Sequence, residues 1–137
     1  KLLHETWKRY GRPVAVSEAF LGAPRLDQVR WLQWVWAQAE GAKMSGVPVQ
    51  SVTAWSLFGA YDWDSLVTKR LGHYEPGAFD LALPGHPETE IATWLRGMRA
   101  TCPIPSNPPG WWETDARLLY PPVSADDVVR QRVPLAT

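Results

Sequence analysis

The chain has 137 residues, which suits one domain, and its 45% hydrophobic and 20% charged content is ordinary for a globular protein. Fourteen Lys and Arg residues balance fourteen Asp and Glu residues, so the net charge is zero. That balance gives no support to a nucleic acid or an anionic membrane surface as the partner. No run approaches the roughly 18 apolar residues of a transmembrane helix, and the first residues do not resemble a signal peptide.

Metal-binding and disulfide chemistry find little support in the composition. The single cysteine, Cys102, rules out an internal disulfide framework and fits a reducing, cytoplasmic compartment. The histidines, His4, His73 and His86, are widely scattered and show no metal-ligand spacing. We therefore predict neither a metal nor a cofactor, and we interpret Cys102 as an apolar filler and the histidines as surface or packing residues.

The first half of the chain alternates helical and strand patterns. Residues 2–12 carry apolar side chains at helical spacing, and Gly11 is placed to end this helix. The apolar run at residues 14–17 predicts a strand, and its lack of alternation is typical of a strand covered on both faces. Residues 24–45 predict a long helix that begins near Pro24. Its apolar face is expected to contain Leu26, Val29, Leu32, Trp36 and Ala39.

A second apolar run, at residues 47–54, follows Gly46 and predicts a second buried strand. Strands that alternate with long helices are typical of a parallel α/β sheet. Two parallel strands alone would leave open edges with unpaired backbone groups on both sides. We therefore expect the chain to be a piece of a larger fold. The absence of an initiating Met and the helical pattern of the first residues lead to the same expectation.

The second half is less regular. Residues 62–87, rich in Gly and Pro, predict irregular structure, and residues 87–100 predict a further helix. Residues 101–123 carry six prolines and predict an extended strap packed on the domain, and residues 124–137 predict a tail or an interdomain linker. The pair Trp111-Trp112 is expected to anchor this strap rather than to form a sugar subsite.

Acidic and aromatic side chains follow both predicted strands. Glu18 comes directly after the first strand, and the segment Trp55-Ser-Leu-Phe-Gly-Ala-Tyr-Asp-Trp63 follows the second. Active sites of parallel α/β folds gather at the carboxyl ends of the strands, so we expect these residues to share one site. Flat apolar rings suit the C–H faces of a sugar, and carboxylates suit its hydroxyls. The sequence therefore predicts a carbohydrate site.

Structural roles for the same residues remain open alternatives. Most of the nine tryptophans are expected in the core, and Trp55 and Trp63 could simply plug the end of the sheet. Asp62 could be a loop cap or a turn acid, with Asp64 as a rival for its role. Glu18 could be a structural acid or the relic of a lost activity.

The order of these segments resembles the C-terminal part of family 1 glycoside hydrolases, the β-glucosidase-like (β/α)8 barrels. The resemblance covers roughly residues 2–80 and rests on Arg9-Tyr-Gly-Arg-Pro-Val-Ala-Val-Ser-Glu18, the long helix and Val52-Thr-Ala-Trp-Ser-Leu-Phe-Gly-Ala-Tyr-Asp-Trp63. It implies that residues 1–100 supply the last two strands and their helices of a TIM barrel. The segment Lys69-Arg70-Leu71-Gly72 is similar to the Arg-Phe-Gly that follows in the family.

The resemblance also implies roles for individual residues. Glu18 would be the catalytic nucleophile, Trp55 the platform under the sugar ring, and Asp62 with Trp63 the glycone-binding pair. Tyr61 would donate to a sugar oxygen or to Glu18. Ala19 and Phe20 depart from the family's Asn-Gly, Asp62 is one methylene shorter than its Glu, and Gly59 and Ala60 replace polar residues. The family's acid/base Glu lies on an earlier strand and is not in this chain.

Three functions follow as expectations. The first is a retaining β-glycoside hydrolase that acts on a carbohydrate substrate, with the rest of the barrel upstream of Lys1. The second is a non-catalytic sugar-binding or scaffold domain. The third gives the biological role to an adjoining domain, because such glycosidase-like domains resemble the N-terminal half of proteins that continue into a dTDP-4-dehydrorhamnose-reductase-like domain. No Gly-x-Gly-x-x-Gly occurs in this chain, so it carries no nucleotide-binding half.

Overall fold

The structure is a computed structural model that describes residues 1–23 and 25–98, together with Gly110 and Trp112. Its contacts divide the chain into two compact units, Lys1–Trp55 and Ser56–Thr137. The predictions for Pro24, Cys102, Trp111, the remainder of the strap and the tail lie outside the described residues. None of the described helices is both long enough and apolar enough to cross a lipid bilayer.

The first unit has the predicted order of helix, strand, helix and strand. Helix α1 spans Leu2–Tyr10 and strand β1 Val14–Ala19, while helix α2 spans Arg25–Met44 and strand β2 Val49–Ala54. The two strands pair in parallel, as predicted. Within the described residues they pair only with each other, so both outer edges of this sheet are open.

A small apolar core holds α2 against the strands. It contains Val14, Ala39, Ala42, Val47 and Val49, with Leu3 and Val52 packed at its margin. The small alanines let the helix approach the strands closely, and the valines suit the pleated surface. Only one face of the sheet is covered in this way. Side chains on the other face are exposed, so the prediction that β1 is covered on both faces is wrong for the described residues.

The buried side of α2 differs in part from its apolar pattern. Val29, Leu32 and Ala39 are buried as predicted, whereas Leu26 is 62% exposed. Two glutamines outside the predicted apolar face, Gln28 and Gln33, are also buried, and the Oε1 atom of each has no hydrogen-bond partner among the described residues. Burial therefore extends to both sides of the apolar stripe, which side-chain hydropathy alone did not indicate.

The second unit contains short elements that the sequence pattern did not predict. Strands β3, Ala60–Tyr61, and β4, Tyr74–Glu75, form an antiparallel pair, and a 3-10 helix spans Trp63–Ser65 between them. The expectation of irregular structure over residues 62–87 is therefore wrong for β4 and for the 3-10 helix. Two-residue strands have no measurable alternation, so hydropathy could not reveal them.

The last described helix, α3, spans Glu90–Gly97 and begins later than predicted. Thr89 precedes it, and its buried hydroxyl lies 2.7 Å from the carbonyl oxygen of Gly77, to which it donates a hydrogen bond. Ile91, Ala92 and Trp94 are buried, while Leu95 is 38% exposed.

Candidate functional site

Glu18 and Trp55 lie at the same end of the parallel strand pair. Glu18 is the penultimate residue of β1 and is exposed, and Trp55 is half-buried directly after the last residue of β2. The backbone N–H of Trp55 donates to the carbonyl oxygen of Ala19 at 3.1 Å, and Ala19 itself pairs with Ala54. The structure thus brings the predicted nucleophile and the predicted platform together at the carboxyl ends of neighbouring strands, as the sequence predicted for parallel strands.

The strand carries Glu18 further than expected. The sequence predicted that β1 would end at Ser17, but the pairing continues to Ala19. Glu18 is therefore held on both sides by paired backbone. A side chain between two paired positions of a strand is positioned more exactly than one on a free loop.

The other three predicted site residues, Tyr61, Asp62 and Trp63, belong to the second unit. Tyr61 lies in β3 opposite Tyr74, and their rings are 4.8 Å apart between centroids with a tilt of 45°. This spacing is typical of a favourable aromatic pair. Trp63 opens the 3-10 helix and is 39% exposed. The exposed parts of the Tyr61 and Trp63 rings can contact a ligand.

Asp62 is buried and is already engaged by the backbone. Its Oδ1 accepts the N–H of His73 at 2.9 Å, and its own N–H donates to the carbonyl oxygen of His73 at 2.7 Å. Its carbonyl oxygen accepts from the N–H groups of Ser65 and Val67. Asp62 also has a left-handed backbone, with φ of 56°, a conformation that Asp tolerates better than most residues. These contacts are those of a turn acid.

A group of potential metal ligands surrounds this turn. One ligand atom each from Asp62, Asp64 and His73 lies within 4.8 Å of the others. Nδ1 of His73 is 2.8 Å from Oδ2 of Asp64, so these two groups already partner each other. Carboxylates and imidazole are suitable ligands for several divalent cations. The sequence missed this group because eight residues separate Asp64 from His73 and the intervening stretch has no regular pattern.

Burial perturbs two side chains of β4. The pKa of Glu75 is raised, mainly because burial disfavours the charged carboxylate and also because Asp64 is nearby. Its Oε2 atom has no hydrogen-bond partner among the described residues. Burial also raises the pKa of the Tyr74 hydroxyl, which accepts the N–H of Leu81 at 2.7 Å. Neither residue was a sequence-based candidate, because nothing in the sequence pattern placed them in a strand.

A separate small groove of about 90 Å³ lies along β2 and α2 in the first unit. Its lining includes Trp36 and Ala39 of the helix and Val49 and Val52 of the strand. None of the predicted site residues lines it. The groove therefore provides no substrate pocket for Glu18.

Comparisons with known proteins give no match. No protein-family model matches the chain, and neither a curated protein nor a solved structure is found to resemble it.

Proposed function

We propose that the chain is part of a retaining β-glycosidase of the family 1 type, in which Glu18 is the nucleophile and Trp55 the ring platform. In this proposal the chain supplies the last two strands of a (β/α)8 barrel, and the acid/base carboxylate comes from an earlier strand. The observation that carries the proposal is the exposed Glu18 beside Trp55 at the carboxyl end of two parallel strands. Catalytic residues of such barrels occupy that end.

The chemistry assigned to Glu18 follows from the retaining mechanism. Its carboxylate oxygen attacks the anomeric carbon while a second carboxyl group, about 5–5.5 Å away, protonates the leaving oxygen. The resulting glycosyl-enzyme ester is then hydrolysed by water, which the second group deprotonates. Trp55 would stack against the apolar face of the sugar ring and hold the anomeric carbon near Glu18.

A non-catalytic sugar-binding or scaffold domain, attached to a sugar-nucleotide reductase, is the second candidate. The contacts of Asp62 favour it, because the backbone N–H of His73 already occupies the carboxylate oxygen that accepts at 2.9 Å. A glycone-binding acid needs its oxygens for sugar hydroxyls. In this case Trp55 would still bind a sugar, but no bond would be cleaved.

Replacement of Glu18 in the intact protein distinguishes the two candidates. We expect Glu18→Gln to reduce the turnover of aryl β-glycosides by about three orders of magnitude or more, because an amide cannot form the glycosyl-enzyme. Glu5→Gln, on the exposed side of α1, is the matched control and should retain wild-type turnover. Wild-type turnover in Glu18→Gln would refute the nucleophile assignment. Sugar binding without any turnover in the wild type would favour the scaffold domain.

A further inference from the structure

The register of β1 against β2 shifts twice, between Val14 and Ala15 and between Val16 and Ala19, and the second shift includes the residue proposed as nucleophile. Val16 pairs with Val52, and the next pair is Ala19 with Ala54. Between these two pairs lie two residues of β1, Ser17 and Glu18, but one residue of β2, Thr53. The Ala19 carbonyl oxygen then accepts the N–H of Trp55, so the pairing resumes after the irregularity. This two-against-one arrangement is a β-bulge formed by Ser17 and Glu18.

The exposure of the strand shows what the bulge does to Glu18. Side chains of a regular strand alternate between the two faces of a sheet. Val14 is buried, Ala15 exposed and Val16 half-buried, so regular alternation would place Glu18 on the covered face. Instead Ser17 and Glu18 are both exposed, and Ala19 is buried again at 5% exposure.

The exposure of Glu18 does not continue to the end of the strand, because Ala19 follows Glu18 and is buried at 5% exposure. The break in alternation falls at the same two residues as the break in pairing. The extra residue of β1 accounts for the two successive exposed side chains. Without it, the same sequence would direct a carboxylate toward the valines of the core, where it would lose its hydration without gaining a partner.

We propose that this bulge is a positioning device for Glu18, and that it acts through the extra backbone residue of β1 rather than through the Ser17 side chain. The bulge turns the carboxylate to the open face at the strand end where Trp55 begins. β-Bulges recur beside active sites, where they redirect side chains. The catalytic consequence rests on the proposed function, whereas the direction in which Glu18 points does not.

Thiol labelling measures the direction of each side chain without any assay of activity. Ser17→Cys, Glu18→Cys and Ala19→Cys are made separately in the intact protein, and each site is quantified by peptide mass spectrometry after timed exposure to a maleimide. We expect positions 17 and 18 to react at least about tenfold faster than position 19, because accessible thiols react faster than buried ones. Fast labelling at 17 and 19 with slow labelling at 18 would indicate a regular strand and overturn the proposal.

A deletion then tests whether the bulge positions the nucleophile. Deleting Ser17 leaves one residue of each strand between the pairs Val16–Val52 and Ala19–Ala54 and so removes the bulge, whereas Ser17→Ala keeps it. We expect the deletion to lower kcat by about a hundredfold or more, since small misplacements of a reacting group have that effect. KM should change little, because Trp55 remains in place, and Ser17→Ala should stay close to wild type.

Each outcome of the deletion has a distinct meaning. Wild-type kcat in a folded deletion variant would overturn the positioning role. A deletion variant that fails to fold leaves the decision to the labelling pattern of the undeleted protein. A wild-type protein without turnover would refute the proposed function and with it the catalytic role of the bulge. The labelling pattern would in that case still decide which way Glu18 points.

Discussion

Asp62 shows that one residue can fit a family motif and still have a structural role. Its position matches the glycone-binding acid of the resemblance, but its side chain accepts the N–H of His73 and its backbone closes the turn before Ser65. The sequence had left both roles open. Only the fold reveals the turn contacts, because they depend on the backbone of His73, eleven residues away.

Substituting Asp62 tests this role. Asp62→Ala removes the acceptor for the His73 N–H and places alanine in a left-handed conformation, so we expect a loss of about 1–3 kcal/mol in the free energy of unfolding. Asp62→Asn retains an acceptor oxygen and tolerance of that conformation, so it should lose less than about 1 kcal/mol. Urea denaturation of the two variants measures the difference. Wild-type stability in Asp62→Ala would mean that the acid is not structural.

Glu75 gives the stability a predictable pH dependence. Its folded-state pKa is raised above the ordinary value of 4.5 by burial and by Asp64, so the folded state binds the proton more tightly than the unfolded state. The contribution of Glu75 to the stability of the folded state is therefore complete below pH 4.5 and is lost as the pH rises through its folded-state pKa.

Glu75→Gln removes this titration. Relative to wild type, the variant should gain stability as the pH rises from below 4.5 toward neutrality, because the buried amide stays neutral. Denaturation at several pH values compares the two proteins, and Glu5→Gln controls for the loss of one negative charge. A stability difference that is independent of pH would contradict the role of Glu75.

At the scale of elements, hydropathy predicted the order α1, β1, α2, β2 and their parallel pairing, because long apolar runs and clear end signals define these elements. It did not predict β3 and β4, which have two residues each. The bulge in β1 was also missed, since an extra residue in an apolar run leaves no mark in composition. Cross-strand pairing determines both features, and pairing is not a local property of the sequence.

Two glycines of the first unit give opposite predictions. Gly11 ends α1 with φ of 60°, and its N–H donates to the carbonyl oxygen of Trp7 at 2.8 Å. Gly41 lies inside α2, where an added Cβ would meet nothing within 4 Å. We expect Gly11→Ala to reduce the free energy of unfolding by about 1–2 kcal/mol and Gly41→Ala to raise it by about 0.5–1 kcal/mol. Thermal denaturation of both variants measures the signs, and equal signs would contradict these assignments.

At the scale of the whole molecule, the sequence predicts that residues 1–100 are the C-terminal part of a (β/α)8 barrel, and this stays a prediction. The sequence indicates a larger fold because two parallel strands alone would leave open edges. Within the described residues β1 and β2 do pair only with each other. Large apolar side chains are also exposed, among them Phe58 at 52%, Leu66 at 69% and Val67 at 67%. Open edges and exposed apolar groups both favour association with further structure.

The proposed barrel therefore predicts weak folding of the 137-residue chain on its own. We expect the isolated chain to bind a hydrophobic dye, to associate at micromolar concentration and to unfold over a broad temperature range, because no other strands protect its sheet edges. Calorimetry and light scattering test this expectation. A monomer with one sharp, cooperative transition would contradict the incomplete-barrel account.

The central claim is that Glu18 forms a covalent bond with a sugar, and mass spectrometry of the trapped intermediate tests it most directly. A 2-deoxy-2-fluoro glycoside with a good leaving group slows hydrolysis of the glycosyl-enzyme, so the intermediate of a retaining enzyme accumulates. After incubation with the intact protein and proteolysis, the account predicts that the peptide containing Glu18 carries the added mass of one fluorosugar, and that Glu18→Gln carries none. A fluorosugar on another carboxylate, or an unlabelled protein that still cleaves aryl glycosides, would contradict it.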